Sequence, residues 1–127
     1  MTNRDRQTTT GFQVGVQRSV EARSDRVWRL LTARPELWLG GPVRLEPGSR
    51  YEGKGVTGEI RVVKPVDRVR FTWHKTGWTT PATVLVTLSG EGATAVRAQV
   101  DRLPDADSRE WARQQWQVAL ERIAAAV

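Results

Sequence analysis

The stretch RVRFTWHKTGW, Arg68 to Trp78, decides how the rest of the chain is read. Val69, Phe71 and Trp73 alternate with Arg68, Arg70, Thr72 and His74, the two-residue period of a strand with one buried face and one wet face. The pattern breaks at Gly77, a turn signal, and a second tryptophan follows at once. Aromatics this bulky on an inward strand face serve either as core or as the wall of a cavity. Phe71 is expected to pack in the core, and Trp73 and Trp78 to face a ligand.

Working outward, EIRVVK (Glu59 to Lys64), ATVLVTLS (Ala82 to Ser89) and TAVRAQVD (Thr94 to Asp101) carry similar strand patterns. Turn signals separate them at Pro47-Gly48, Gly53 to Gly58, Pro65 to Asp67, Gly77 and Ser89 to Ala93. With no helix between them, these strands imply an antiparallel meander. Before it, Phe12, Val14 and Val16 alternate in a first strand, and a short helix carries Val27, Trp28, Leu30 and Leu31. Ser24 is expected to cap that helix, with Asp25 in its first turn. Pro35 opens a second short helix, PELWL, which stops at Gly40-Gly41. After Leu103-Pro104 comes the longest helix, capped by Asp107 or Ser108, with Ala112, Trp116, Ala119, Leu120, Ile123 and Val127 along one stripe. The expected fold is therefore α+β: a curved antiparallel sheet wrapped around a long C-terminal helix, with two short helices after the first strand. Residues 1–10 read as a disordered lead-in and residues 11–127 as one domain.

Composition limits what such a domain does. Hydrophobic residues make up 39% of the 127 and charged residues 27%, the balance of a soluble globular chain. No run approaches the ~20 apolar residues of a membrane span. MTNRDRQTTT lacks the apolar stretch of a secretory signal, so the expected location is cytoplasmic. The absence of cysteine excludes disulfides and thiolate metal sites. The formal charge is +6, with 17 of 20 basic residues being arginine. Its excess lies in the first half, without consecutive arginines, and Arg61, Arg68 and Arg70 fall on a strand face that reads as solvated.

Three segments carry a resemblance. VEARSDRVWRLLT (Val20 to Thr32) is similar to an opening helix motif, and GEIRVVKPVDRVRFTW (Gly58 to Trp73) to a Gly-led strand, Pro turn and strand ending in Thr-Trp. WQVALERI (Trp116 to Ile123) is similar to a closing helix, with Gln115 where a glycine is common. Together they resemble the START-like or helix-grip superfamily, SRPBCC, and within it the domain named for the activator of heat-shock protein 90 ATPase. The resemblance implies the helix-grip fold, with a cavity beneath the long helix that relatives use for apolar molecules. It also implies a chaperone-binding role, which in eukaryotic members belongs to a longer protein.

The residues show no catalytic set. His74 is the only histidine and faces away from Phe71 and Trp73, so no relay or metal site converges on it, and no cofactor is expected. Glu52 and Glu59 flank the GKGVTG bend and are the candidate acids, although a solvent-facing strand end is the favoured account of them. Gly53, Gly55 and Gly58 lack the Lys-Ser/Thr of a phosphate loop and read as a bulge or hairpin. The six tryptophans carry more weight. Trp28 and Trp116 are expected in the core; Trp38, Tyr51, Trp73 and Trp78 are expected to line a mostly apolar pocket, with Glu59 as its polar anchor. The leading function is binding of a small apolar molecule there. The alternatives are a protein-partner role, as chaperone regulator or homodimer, and an enzyme of cyclase, dehydratase or hydrolase type. Specific nucleic-acid recognition is not expected, since neither a stacking motif with interleaved basics nor a helix-turn-helix appears.

Overall fold

The structure, a computed structural model, describes residues 11–127; the lead-in expected over 1–10 lies outside them. β1 (Phe12–Val20) is followed by α1 (Ser24–Ala33) and the single turn α2 (Glu36–Leu39). Then come β2 (Arg50–Glu52), β3 (Val56–Lys64), β4 (Arg68–Lys75), β5 (Ala82–Ser89), β6 (Thr94–Leu103) and α3 (Ala106–Ala126). Every neighbouring pair is antiparallel, in the order β1-β6-β5-β4-β3-β2. The meander is thus continuous from β2 to β6, and β1 closes onto the last strand. This is the expected curved sheet with two short helices and a long one.

Alternation explains the core. Ile60, Val69, Phe71, Val84, Val86, Val96 and Ala98 are buried on one sheet face. Ala112, Trp116, Ala119, Leu120 and Ile123 of α3 are buried as the expected stripe. Each side chain of Val or Leu size, fully withdrawn from water, contributes about 1.5–3 kcal/mol. Helix and sheet hold each other because neither can hide its apolar side alone.

Two caps differ from expectation. Ser24 is the first residue of α1, not its cap; Arg23 holds that position without a side-chain hydrogen bond. The Thr94 hydroxyl donates to the Ala22 carbonyl at 2.6 Å, so the Ser24 hydroxyl, 3.2 Å away, donates to Thr94. That donor therefore ties α1 to β6. At α3 the cap is Asp105, which accepts from the Ser108 backbone N–H at 2.7 Å, in place of Asp107 or Ser108. Pro104 favours an extended Leu103, so the chain can enter the helix as soon as the next side chain offers an acceptor.

Two strands carry an extra residue. Ile60 faces Phe71 while Val62 faces Arg70, which leaves Arg61 as a bulge in β3. Phe12 faces Leu103 while Val14 faces Val100, so Asp101 and Arg102 of β6 oppose Gln13 alone. Arg102 takes a left-handed φ of 68° to do so. Such bulges sharpen strand twist and curve the sheet around α3.

Candidate functional site

Beneath α3 lies a continuous aromatic cluster. α2 delivers Trp38 from above; its indole N–H donates to the Leu31 carbonyl at 3.1 Å, which anchors the turn to the end of α1. Gly40, at a φ of 87°, ends α2 in the left-handed conformation that a glycine takes without strain. Trp38 meets Phe71 edge-on at 5.7 Å between ring centroids and Trp116 at 6.4 Å. Phe71 and Trp116 are 5.9 Å apart.

Tyr51 comes in from β2. It is paired with Gly58, and a Cβ on Gly58 would overlap the Thr72 carbonyl and lie 2.5 Å from the Tyr51 ring. Glycine there lets the phenol cross β3, donate to the Thr72 carbonyl at 2.7 Å and meet Phe71 edge-on at 5.9 Å. Burial pushes the Tyr51 phenol far above its usual range, so it stays neutral and keeps donating.

The cluster continues to the end of β4. Trp73 stacks on Trp111 with centroids 5.1 Å apart and planes 17° from parallel. Trp78 closes edge-on against both, at 5.8 and 6.0 Å. Trp73 also meets Trp116 at 5.8 Å, which joins the two halves. The Lys75 ammonium lies 5.2 Å from the Trp111 ring centre, within cation–π reach. Trp38, Tyr51, Trp73 and Trp116 are buried, whereas Trp78 and Trp111 are half-buried and form the outer edge.

Four of the five expected residues, Trp38, Tyr51, Trp73 and Trp78, therefore belong to one cluster, where the rings meet each other rather than open space. Glu59 does not join them. It pairs with the outward Thr72, one residue from the fully buried Ile60, and its carboxylate lies 3.6 Å from Arg50. Strand alternation puts it on the far side of the sheet from the rings. His74 stays outside the cluster; it is half-buried, and its Nε2–H donates to the Trp78 carbonyl at 2.8 Å, holding the turn that carries Trp78.

Sequence reasoning missed two members. Trp111 lies off the apolar stripe of α3 and reaches the cluster only through the length of its indole. Trp116 was expected as plain core, yet its Nε1–H is buried without any partner. A lost partner at a buried donor costs about 1–3 kcal/mol, so this N–H is a vacant donor at the heart of the cluster. No group of three or more His, Asp or Glu among the described residues is arranged to hold a metal ion. No helix among them is long and apolar enough to cross a membrane.

The family model described as "Activator of Hsp90 ATPase homolog 1-like protein" matches residues 19–127. No curated protein matches the chain. Among solved structures, DynU16, from the dynemicin biosynthetic locus, is 27% identical with a TM-score of 0.76, covering 89% of this chain and 46% of that one. The chain thus spans about half the length of DynU16. An HSP90 activator from Plasmodium falciparum, PFC0360w, gives 16% identity and a TM-score of 0.75 over 91% of this chain and 95% of its own. The Aha1 dimer from Colwellia psychrerythraea gives 16% and 0.73 over 90% and 94%. These last two likenesses show the fold alone.

Proposed function

The chain belongs to the Activator of Hsp90 ATPase homolog 1-like protein family, within the START-like, SRPBCC superfamily, and on that premise we propose that it binds a small, mostly apolar molecule between the sheet and α3. The observation that carries this reading is the unpartnered Trp116 Nε1–H inside a cluster of seven aromatic rings. A ligand with one acceptor atom satisfies that donor while its apolar body replaces ring-on-ring contact. Trp78 and Trp111 are the rings that part to admit it, because they alone keep one side in water. Trp38, Tyr51 and Trp73 form the wall, and Trp116 takes the anchoring role that the sequence suggested for Glu59.

Titration with N-phenyl-1-naphthylamine, a neutral apolar fluorophore, tests this. Saturable quenching of tryptophan emission is expected, weakened about tenfold in Trp78→Ala, a change worth about 1.4 kcal/mol. Native mass spectrometry of the freshly purified protein is expected to reveal a co-purifying molecule, and Trp116→Phe to lose it while still quenching with the probe. Unchanged emission together with an empty native spectrum overturns the proposal.

A protein-partner role is the second reading, favoured by the family description itself and, for a homodimer, by the dimeric Colwellia Aha1. Stimulation of Hsp90 ATPase turnover by this chain would promote it. A biosynthetic enzyme is third; it draws on DynU16, and product formation rather than mere retention of a bound molecule would distinguish it.

A further inference from the structure

The outer face of the sheet gathers three arginines. Arg61, Arg70 and Arg102 line one cleft of about 450 Å³ together with Thr72, Thr80 and Thr83. None of the three guanidinium groups takes part in a salt bridge or a side-chain hydrogen bond among the described residues, whereas Arg18, Arg34, Arg50 and Arg68 each have a carboxylate within reach. Like charges brought together on one surface repel, so their convergence is unfavourable until a counter-charge joins them.

Backbone geometry completes the set. Arg61 is the extra residue of the β3 bulge, and Arg102 belongs to the β6 bulge, at opposite sides of the cleft. Bulges re-aim side chains, and the one in β6 turns Arg102 out beside Arg61 and Arg70, which alternation already places on this face. Without its bulge Arg102 would follow Val96, Ala98 and Val100 to the inner face by alternation. Instead it keeps a φ of 68°, a conformation that disfavours any residue with a Cβ and that a glycine would hold freely. Thr72 and Thr83, paired across β4 and β5, form the floor.

We propose that this cleft is a binding site for a compact oxyanion of two or more charges, a phosphomonoester or pyrophosphate group on a small molecule. Guanidinium groups match phosphate oxygens with paired N–H donors, and the threonine hydroxyls supply further donors. The flanks set the size. Glu52 and Glu59 line the adjoining cleft, and Asp101 stands beside Arg102 while accepting from Gln99 at 3.2 Å. A long polyanion crossing the face therefore meets carboxylates at both ends, whereas a compact one does not. This site lies on the opposite side of the sheet from the aromatic cluster and does not depend on it.

Calorimetric titration with inorganic pyrophosphate at moderate salt tests the proposal, with backbone and arginine Nε–H resonances locating the site. One-to-one, saturable binding in the submillimolar range is expected, with shifts at Arg61, Arg70, Thr72 and Arg102. Arg61→Gln, Arg70→Gln and Arg102→Gln are each expected to weaken it about tenfold, the usual scale for one charge-assisted contact. Arg102→Gly separates site from scaffold: it is expected to weaken binding equally while the unfolding midpoint holds or rises, since glycine suits the bulge. Arg44→Gln, a charge change elsewhere, is expected to leave binding intact. An equal loss in Arg44→Gln, no saturable binding, or recruitment to phosphoinositide-containing vesicles without affinity for free pyrophosphate would each overturn it.

Discussion

Thr72 is the residue at which both sides of the sheet meet. Its carbonyl accepts from Tyr51 and its hydroxyl accepts from the Glu59 backbone N–H at 2.8 Å. The first bond exists only because Gly58 leaves room for the phenol. Tyr51→Phe is therefore expected to cost about 1 kcal/mol, the net worth of one hydrogen bond, with the ring contacts preserved. Gly58→Ala forces the phenol and the Thr72 carbonyl apart and is expected to cost about 2 kcal/mol or more. Urea denaturation of both variants checks the order; a Gly58→Ala midpoint above that of Tyr51→Phe would refute the assigned geometry. The part played by Tyr51 was hard to read from sequence. β2 has only three residues, too few for alternation to fix a face.

At the scale of elements, α3 shows what one side chain adds to a helix end. Hydrogen bonding from the Ser108 backbone N–H, and then from its side chain, holds the Asp105 carboxyl below its usual value. A lowered folded-state pKa gives stability that is present above the unfolded value and disappears as pH falls through the folded one. Asp105→Ala is expected to lose about 1 kcal/mol at neutral pH, and its gap to the parent protein to narrow below about pH 4. Thermal unfolding at several pH values reads this directly; a gap that widens in acid contradicts the sign. The elements themselves were legible because each carries a period over most of its length, two in β3 to β6 and 3.6 in α3. What periodicity does not encode is the odd residue. A bulge leaves the composition of a strand untouched, so the turning out of Arg102 and the pairing of Arg61 with it are settled by how the sheet curves. Likewise, the apolar stripe identified Trp116 but passed over Trp111, whose long indole compensates for its angle on the helix.

Across the whole molecule the sheet separates an apolar side under α3 from a charged outer side, and the +6 charge has to be judged by its distribution. Several arginines are locally balanced: Arg18 by Glu121, Arg34 by Glu36, Arg44 by Glu46, Arg50 by Glu59 and Arg68 by Asp67. Of the described basic residues without a carboxylate partner, Arg61, Arg70 and Arg102 share one cleft on the outer sheet face. Duplex DNA is therefore expected to bind weakly, through about three phosphates. Counterion release then predicts a fall of about 40-fold in the observed association constant between about 50 and 200 mM salt. Two duplexes of equal length and unrelated sequence are expected to fall together, because phosphate contacts carry no base information. Fluorescence anisotropy with both duplexes measures this. Tight binding to one and not the other at 150 mM salt, roughly the physiological level, would show that the arginines read a sequence, and would displace the compact-anion assignment of the outer face.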